Sequence, residues 1–290
     1  MAAKATPLPG GFVSKLVERI DLTLVTSRGE TSASYVRKAC LAREVLALEA
    51  TSRVAGAEAA PEFVAAWTSA DAPEDQDRNG FVSPFYPGAA MHFGDPIPAA
   101  VIVTLARVHA ECAGRPGMEW AWAFDAARIK GLADYARYAA AGSEQLKTEV
   151  EDHIGWLARL DRAAEASMLR EAADTLPRSL THGDMHPGNI VRRADGSPVI
   201  IDWGNACLAP PMLDLANIIA IDSDAWRLYW RAYHEAGGEL QEASSRRAFW
   251  WARATTALIY VPWAASASPL RVPDLIAQME DATVRLIATA

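Results

Sequence analysis

The sequence predicts a two-lobed α+β protein, a small strand-rich lobe followed by a larger helical one. Three observations predict it. Apolar and polar residues alternate over residues 16–25, turn at "SRGE" and resume over 34–39, the period-two pattern of paired strands. From Ile97 onward the apolar spacing becomes helical. Two segments, "RSLTHGD" and "NIVRRADGSPVIIDW", then break the helical run, the second with Asp195-Gly196 at the turn of a hairpin.

Along the chain, "CLAREVLALEATSRVA" places Leu41, Val45, Leu46 and Leu48 at helical spacing, so one helix follows the first strands. "PEFVAAW" and "GFVSPFYPG" read as short strands, and the acidic separator "TSADAPEDQDRN" as an exposed loop. The predicted division is an N-terminal lobe over 1–88 ending in a connector near 83–88, then a helical lobe over 89–290. "PAAVIVTLARVHAE" opens its helices, which continue to about residue 170 and return from about 225 to the end. There are no internal repeats.

Composition bounds the function. A chain of 290 residues with 22% charged residues has room for a real core and is too apolar to be disordered. The formal net charge of −8 argues against a nucleic-acid partner, which needs clustered Lys and Arg. Cys40, Cys112 and Cys207 are odd in number and far apart, so buried apolar packing is their expected role. No signal-peptide core precedes Pro7 and Pro9, and no run of eighteen apolar residues occurs. A cytoplasmic protein outside the membrane is the expectation.

"LTHGDMHPGNIVRR" crowds His182, Asp184, His186 and Asn189 into one turn. Gly, Asp, Pro and Asn are ordinary turn formers, and an Asp followed by Asn at a fixed spacing arises about once in a chain this long by composition alone. The joint pattern is more selective: His-Gly before the Asp, and an apolar run ending in Asp202-Trp203 after the Asn. Phosphoryl transfer needs such a set, a carboxylate to orient and deprotonate a hydroxyl plus oxygen ligands for magnesium. Asp184 suits the first task, Asn189 and Asp202 the second.

"HGDMHPGNIVRR" with "VIIDWGNACLAPPMLDLA" resembles the aminoglycoside phosphotransferase and choline kinase family, whose fold is related to protein kinases. The resemblance runs over nearly the whole chain and implies a bilobal protein-kinase-like fold, with catalytic loop 182–189 and metal-binding strand end 199–203. It implies Asp184 as catalytic base, Asn189 and Asp202 as Mg2+ ligands, His182 as a brace of the loop backbone, and Asp214 as a structural support. His186 receives no catalytic role.

In the N-terminal half, "SYVRKA" offers Lys38 for the nucleotide phosphates and "REVLAL" offers Glu44 to pair with it. "FVSPFYPG" resembles the adenine-binding connector, with backbone groups at Pro84 and Tyr86 as contacts. "LPGGFVSKL" supplies Gly11 and Ser14 as phosphate contacts, although it lacks the full glycine-rich loop of protein kinases. Eleven residues between Asp202 and Asp214 leave no room for a regulated activation segment, which sets a protein kinase aside.

The expected activity is transfer of the γ-phosphate of ATP, with GTP as the alternative donor, to a hydroxyl of a small molecule. An aminoglycoside-type or related antibiotic is the expected acceptor, with choline-like amines, sugars and amino-acid hydroxyls as alternatives. The rival from another class is a nucleotide-binding pseudokinase scaffold, against which the presence of Asp184, Asn189 and Asp202 speaks. The aromatics of the C-terminal lobe, Trp226, Tyr229, Trp230, Tyr233, Trp250, Trp251, Tyr260 and Trp263, are expected mainly in the core. Oligomeric state is not legible.

Overall fold

In a computed structural model, residues 2–8, 14–27 and 29–289 are described. Gly11, expected at the phosphates, lies outside them. The alternating segments form strands β1 (Ala2–Pro7), β2 (Leu16–Thr26) and β3 (Gly29–Ala39). Helix α1 (Ala42–Ser52) follows, then β4 (Ala65–Trp67) and β5 (Gly80–Pro84). The five strands make one antiparallel sheet in the order β1-β2-β3-β5-β4. Helix α1 turns Ala42, Val45 and Leu48 into the core, and Glu44 is buried on the same helix.

The acidic separator between β4 and β5 is exposed at most positions, but it is not loose. Asn79 is fully buried. Its carboxamide accepts from Ser69 N at 2.7 Å and donates to the carbonyls of Ala72 at 2.8 Å and Asp75 at 2.6 Å. One side chain thus satisfies the backbone groups of the turn. The loop tip meets the start of β2, where the Lys15 ammonium pairs with Asp77 at 3.0 Å and the Lys15 amide donates to Gln76 Oε1 at 2.7 Å.

The helical part begins with α2 (Ala99–Glu111) and α3 (Ala126–Gly142), the latter capped by the Asp125 carboxylate on Arg128 N. Helices α4 (Glu144–Glu149), α5 (His153–Ala164) and α6 (Ser167–Thr175) lead to β6 (Ser179–Thr181). The expected hairpin is β7 (Ile190–Arg192) with β8 (Pro198–Ile200), closed by Gly196 at φ 84°. Strand β9 (Cys207–Ala209) returns antiparallel to β6. Helices α7 (Met212–Leu215), α8 (Asp224–Glu235), α9 (Glu242–Ala267) and α10 (Val272–Ala288) complete the chain.

Trp226, Tyr229, Trp230, Tyr233 and Trp251 are buried, and the four on α8 pack edge-on or stacked against one another. Their three- and four-residue spacing is that of a core stripe. The three cysteines are buried and free. Among the described residues no helix is long and apolar enough to cross a membrane.

Two seams are among the contacts that join the halves. The Ile200 amide donates to Ala59 O at 2.8 Å, and the Arg193 guanidinium donates to the carbonyls of Glu58 and Ala60. The connector runs beside β7, with Gly88 N on Arg192 O and Met91 N on Ile190 O. A Cβ at Gly88 would sit 2.6 Å from Arg192 Cβ, so a side chain there would force the two apart.

Candidate active site

Strand β3 carries Lys38 at its end, one pleat from the helix that bears Glu44. The Lys38 ammonium donates to Glu44 Oε1 at 2.7 Å and to Asp202 Oδ1 at 2.6 Å, so one side chain ties sheet, helix and hairpin end together. Burial alone would pull the Lys38 ammonium down, but the two carboxylates outweigh it and hold the group well above the ordinary lysine range. Burial pushes the Glu44 carboxyl up, against the pull of Lys38. For Asp202 burial also pushes upward, yet Lys38 prevails and the carboxyl lies below its usual range. Asp202 is left-handed at φ 63°, the bend that ends β8's extension and turns its carboxylate toward Lys38.

The loop between β6 and β7 is built from backbone groups fixed by three buried side chains. The Asp214 carboxylate accepts from His182 N at 2.7 Å and Gly183 N at 2.9 Å. Its Oδ2 also lies 3.1 Å from His109 Nε2, which must donate because a carboxylate only accepts. His109 Nδ1 then accepts from the Tyr229 hydroxyl at 3.0 Å. All three members of this relay are fully buried. His182 donates through Nε2 to Ile201 O at 2.8 Å, and its Nδ1 receives the Asp184 amide at 3.3 Å. Its position across from the hairpin end fits a brace and leaves no ring nitrogen for a metal.

Asp184 projects from this frame. Its Oδ1 accepts from the Tyr260 hydroxyl at 3.3 Å and its Oδ2 from Asn205 Nδ2 at 3.4 Å, while its carbonyl accepts from Asn189 Nδ2 at 2.8 Å. That last bond orients the Asn189 amide and leaves its Oδ1 for another partner. Burial and the neighbouring Asp184 carboxylate raise the Tyr260 phenol, so it stays a proton donor to Asp184.

Gly183 has φ 79°, and a Cβ there would fall 2.1 Å from Asn205 O. Replacing Gly183 by alanine is therefore expected to displace Asp184 and Asn205 together. Turnover should fall roughly a hundredfold, the cost of misplacing a reacting group by about an ångström; retention of wild-type kcat would show that the loop tolerates the shift.

Two cavities meet at Asp184, His186 and Asn205. The first, of about 300 Å³, is lined by Lys38, Glu44, Asn189 and Asp202, with Ser14 and Gln76 at its N-terminal side. Asn189 and Asp202 bring an amide and a carboxylate oxygen to one wall, a hard-oxygen pair of the kind magnesium takes when phosphates and water complete its shell. Among the described residues no three His, Cys, Asp or Glu side chains converge, so the donors fit that pattern rather than a protein-only metal cage.

The second cavity, of about 530 Å³, is lined mainly by apolar and aromatic side chains, including Trp122, Phe124, Ile259, Tyr260 and Trp263. Tyr260 and Trp263 thus leave the core role expected for the C-terminal aromatics. Pro84 and Tyr86 line neither cavity. The Tyr86 hydroxyl accepts from Glu62 N at 3.0 Å, and its ring stands 5.7 Å from the Arg193 guanidinium, so its side chain anchors the connector. Sequence reasoning missed His109, Asn205, Gln76 and Tyr260. His109 was in plain view in "LARVHA", and the other three carry no local signal.

A family model described as the phosphotransferase enzyme family matches residues 42–254. Among solved structures, a choline/ethanolamine kinase family protein from Mesorhizobium loti is 18% identical with a TM-score of 0.54, over 99% of this chain and 87% of that one. A spectinomycin phosphotransferase in complex with ADP and spectinomycin is 12% identical with a TM-score of 0.55, over 99% and 92%. An aminoglycoside phosphotransferase from Alicyclobacillus acidocaldarius is 19% identical with a TM-score of 0.51, over 94% and 87%. No curated protein matches. At these identities the likeness to the solved structures establishes the fold, which is protein-kinase-like.

Proposed function

The chain belongs to the phosphotransferase enzyme family, and on that premise we propose that it moves the γ-phosphate of ATP or GTP to an alcohol group, a hydroxyl presented at Asp184. The observation that carries this reading is the meeting of two cavities at one carboxylate. On one side stand Lys38, Glu44, Asn189 and Asp202, and on the other a chamber large enough for a drug-sized molecule.

Each residue has a task that its geometry permits. Lys38, held between Glu44 and Asp202, meets the phosphates as a fixed cation. Asn189 Oδ1 and the Asp202 carboxylate would hold Mg2+, which when bound would supply positive charge to offset the charge developing in transfer. Asp184 orients the acceptor hydroxyl and takes its proton as the new oxygen–phosphorus bond forms and the bond from the γ-phosphorus to the departing ADP or GDP breaks. Tyr260 and Asn205 keep the Asp184 carboxylate facing the seam between the cavities. Ser14 stands at the phosphate side, where it can contribute a hydroxyl.

For the acceptor, an antibiotic-type molecule is the working class, since the size and apolar lining of the chamber suit a hydroxylated molecule of that bulk.

The test is coupled ADP or GDP release by the purified protein with Mg2+ and either nucleotide, against a panel of hydroxylated antibiotics, choline-like amines, sugars and amino-acid hydroxyls. Acceptor-dependent release is expected with at least one compound, and EDTA in excess of the metal should abolish it. Release that persists in EDTA would remove Asn189 and Asp202 from the metal role. Nucleotide binding without release across the panel would favour a scaffold.

A further inference from the structure

The second cavity carries an unusual charge balance for an acceptor chamber in a protein of formal net charge −8. Among the described residues its one acid is Asp184, at the seam. Its cations are Arg128, from the first turn of α3, and Arg271, from the turn between α9 and α10. Among the described residues neither guanidinium has a carboxylate partner, whereas about half of the other arginines do. Arg128 instead lies over the ring of Trp122 at 4.6 Å, and Arg271 over the ring of Trp263 at 5.8 Å. Glu74 shares a smaller adjoining hollow with Arg128 and makes no ion pair with it.

These contacts work against a cationic acceptor in two ways. Two guanidiniums repel an ammonium group brought into the same chamber. They also occupy faces of Trp122 and Trp263, the aromatics that would otherwise draw a cation. An anionic group gains from the same arrangement, because stacked guanidiniums keep edge N–H groups free for charge-assisted bonds to a carboxylate. The apolar part of the lining, Phe93, Phe124, Leu132, Ile259 and Leu275, asks for an apolar body between that group and the reacting hydroxyl.

We infer that the acceptor is a hydroxyl compound with an apolar or aromatic skeleton and a carboxylate, its hydroxyl at Asp184 and its carboxylate between Arg128 and Arg271. The assignment rests on the phosphotransferase reading, which makes this chamber the acceptor's. It narrows the antibiotic-type class by excluding polycationic aminoglycosides and choline-like amines as good acceptors.

The test uses three probes of one size: a hydroxymethyl-naphthoate, its neutral carboxamide, and the matching aminomethyl compound. Affinity for the full chain is read by equilibrium titration of the naphthalene fluorescence in the presence of Mg2+ and a non-hydrolysable ATP analogue. The carboxylate is expected to bind roughly tenfold or more tightly than the ammonium compound, with the carboxamide between them. Replacing both arginines (Arg128→Gln with Arg271→Gln) should erase that order, and added salt should shrink it. Both side chains are exposed, and an unchanged melting temperature verifies the fold of the variant.

Equal or tighter binding of the ammonium compound, no binding of the carboxylate, or an order that survives the double substitution overturns the inference. Because binding is read without transfer, this outcome is separable from failure of the kinase reading, which would show as absent nucleotide turnover with every acceptor class.

Discussion

Asp184→Ala is expected to reduce acceptor-dependent ADP release by roughly 10²- to 10⁴-fold, the usual contribution of a positioned general base, with nucleotide affinity nearly unchanged. The separation follows from the geometry. Lys38, Glu44 and Asp202 hold one another without Asp184, whose side chain hydrogen-bonds to Tyr260 and Asn205 among the described residues. The Asn189 amide bonds to the Asp184 carbonyl, which alanine retains. Melting temperature should stay close to that of the parent, because the lost bonds are long and partly exposed. Single-turnover kinetics with titrated nucleotide affinity check this. A variant with wild-type kcat would displace Asp184 from the base role, and a variant with lost nucleotide affinity would make it a structural residue.

Asp214→Ala should stop turnover by another route. The carboxylate is fully buried and receives two loop amides and the His109 ring. Alanine would leave the amides of His182 and Gly183 without this acceptor, and unmade buried hydrogen bonds cost about 1–3 kcal/mol each. The expected loss is about 2–5 kcal/mol, seen as a melting temperature lower by roughly 5–15 °C for a chain of this size. Activity should fall with it, because His182 and Gly183 set the direction of Asp184. Asp214→Asn keeps one acceptor oxygen and should recover part of both losses. Normal stability with lost activity in Asp214→Ala would mean that Asp214 acts in chemistry rather than in holding the loop.

The contrast between these carboxylates marks what can be read before a fold is known. Asp184, Asn189 and Asp202 stand out because their residue types and spacing are local. Lys38 and Glu44 become visible only through the resemblance, since a lysine at a strand end and a glutamate on a helix are ordinary by themselves. All five nevertheless line one cavity. Asp214 was legible as a support, but its partner His109, 105 residues earlier, was not. Pro84 and Tyr86 were read as connector contacts, and their side chains line neither cavity. The Tyr86 hydroxyl anchors the connector to Glu62, while the contact read for these two residues was through their backbone groups.

The aromatics teach the same lesson on the acceptor side. Trp226, Tyr229, Trp230 and Tyr233 recur at helical spacing and fill the core of α8's inner face. Tyr260 and Trp263 follow the same spacing on α9 and line the chamber instead. Nothing in either pattern separates them. Which face of a helix meets protein and which meets a cleft depends on the helices packed around it, and period alone carries no such information.

From its sequence alone, the chain is a two-lobed α+β protein with a strand-rich beginning, a helical remainder and a hairpin after a polar turn. Alternation, helical period and turn residues act over a few positions, so they are written locally. Tertiary structure decided which distant groups face one another: Lys38 with Asp202, His109 with Asp214, Tyr260 with Asp184, and two arginines stacked over tryptophans in one chamber. Those approaches arise from burial of apolar faces summed over the whole core, and no short stretch of sequence encodes that sum.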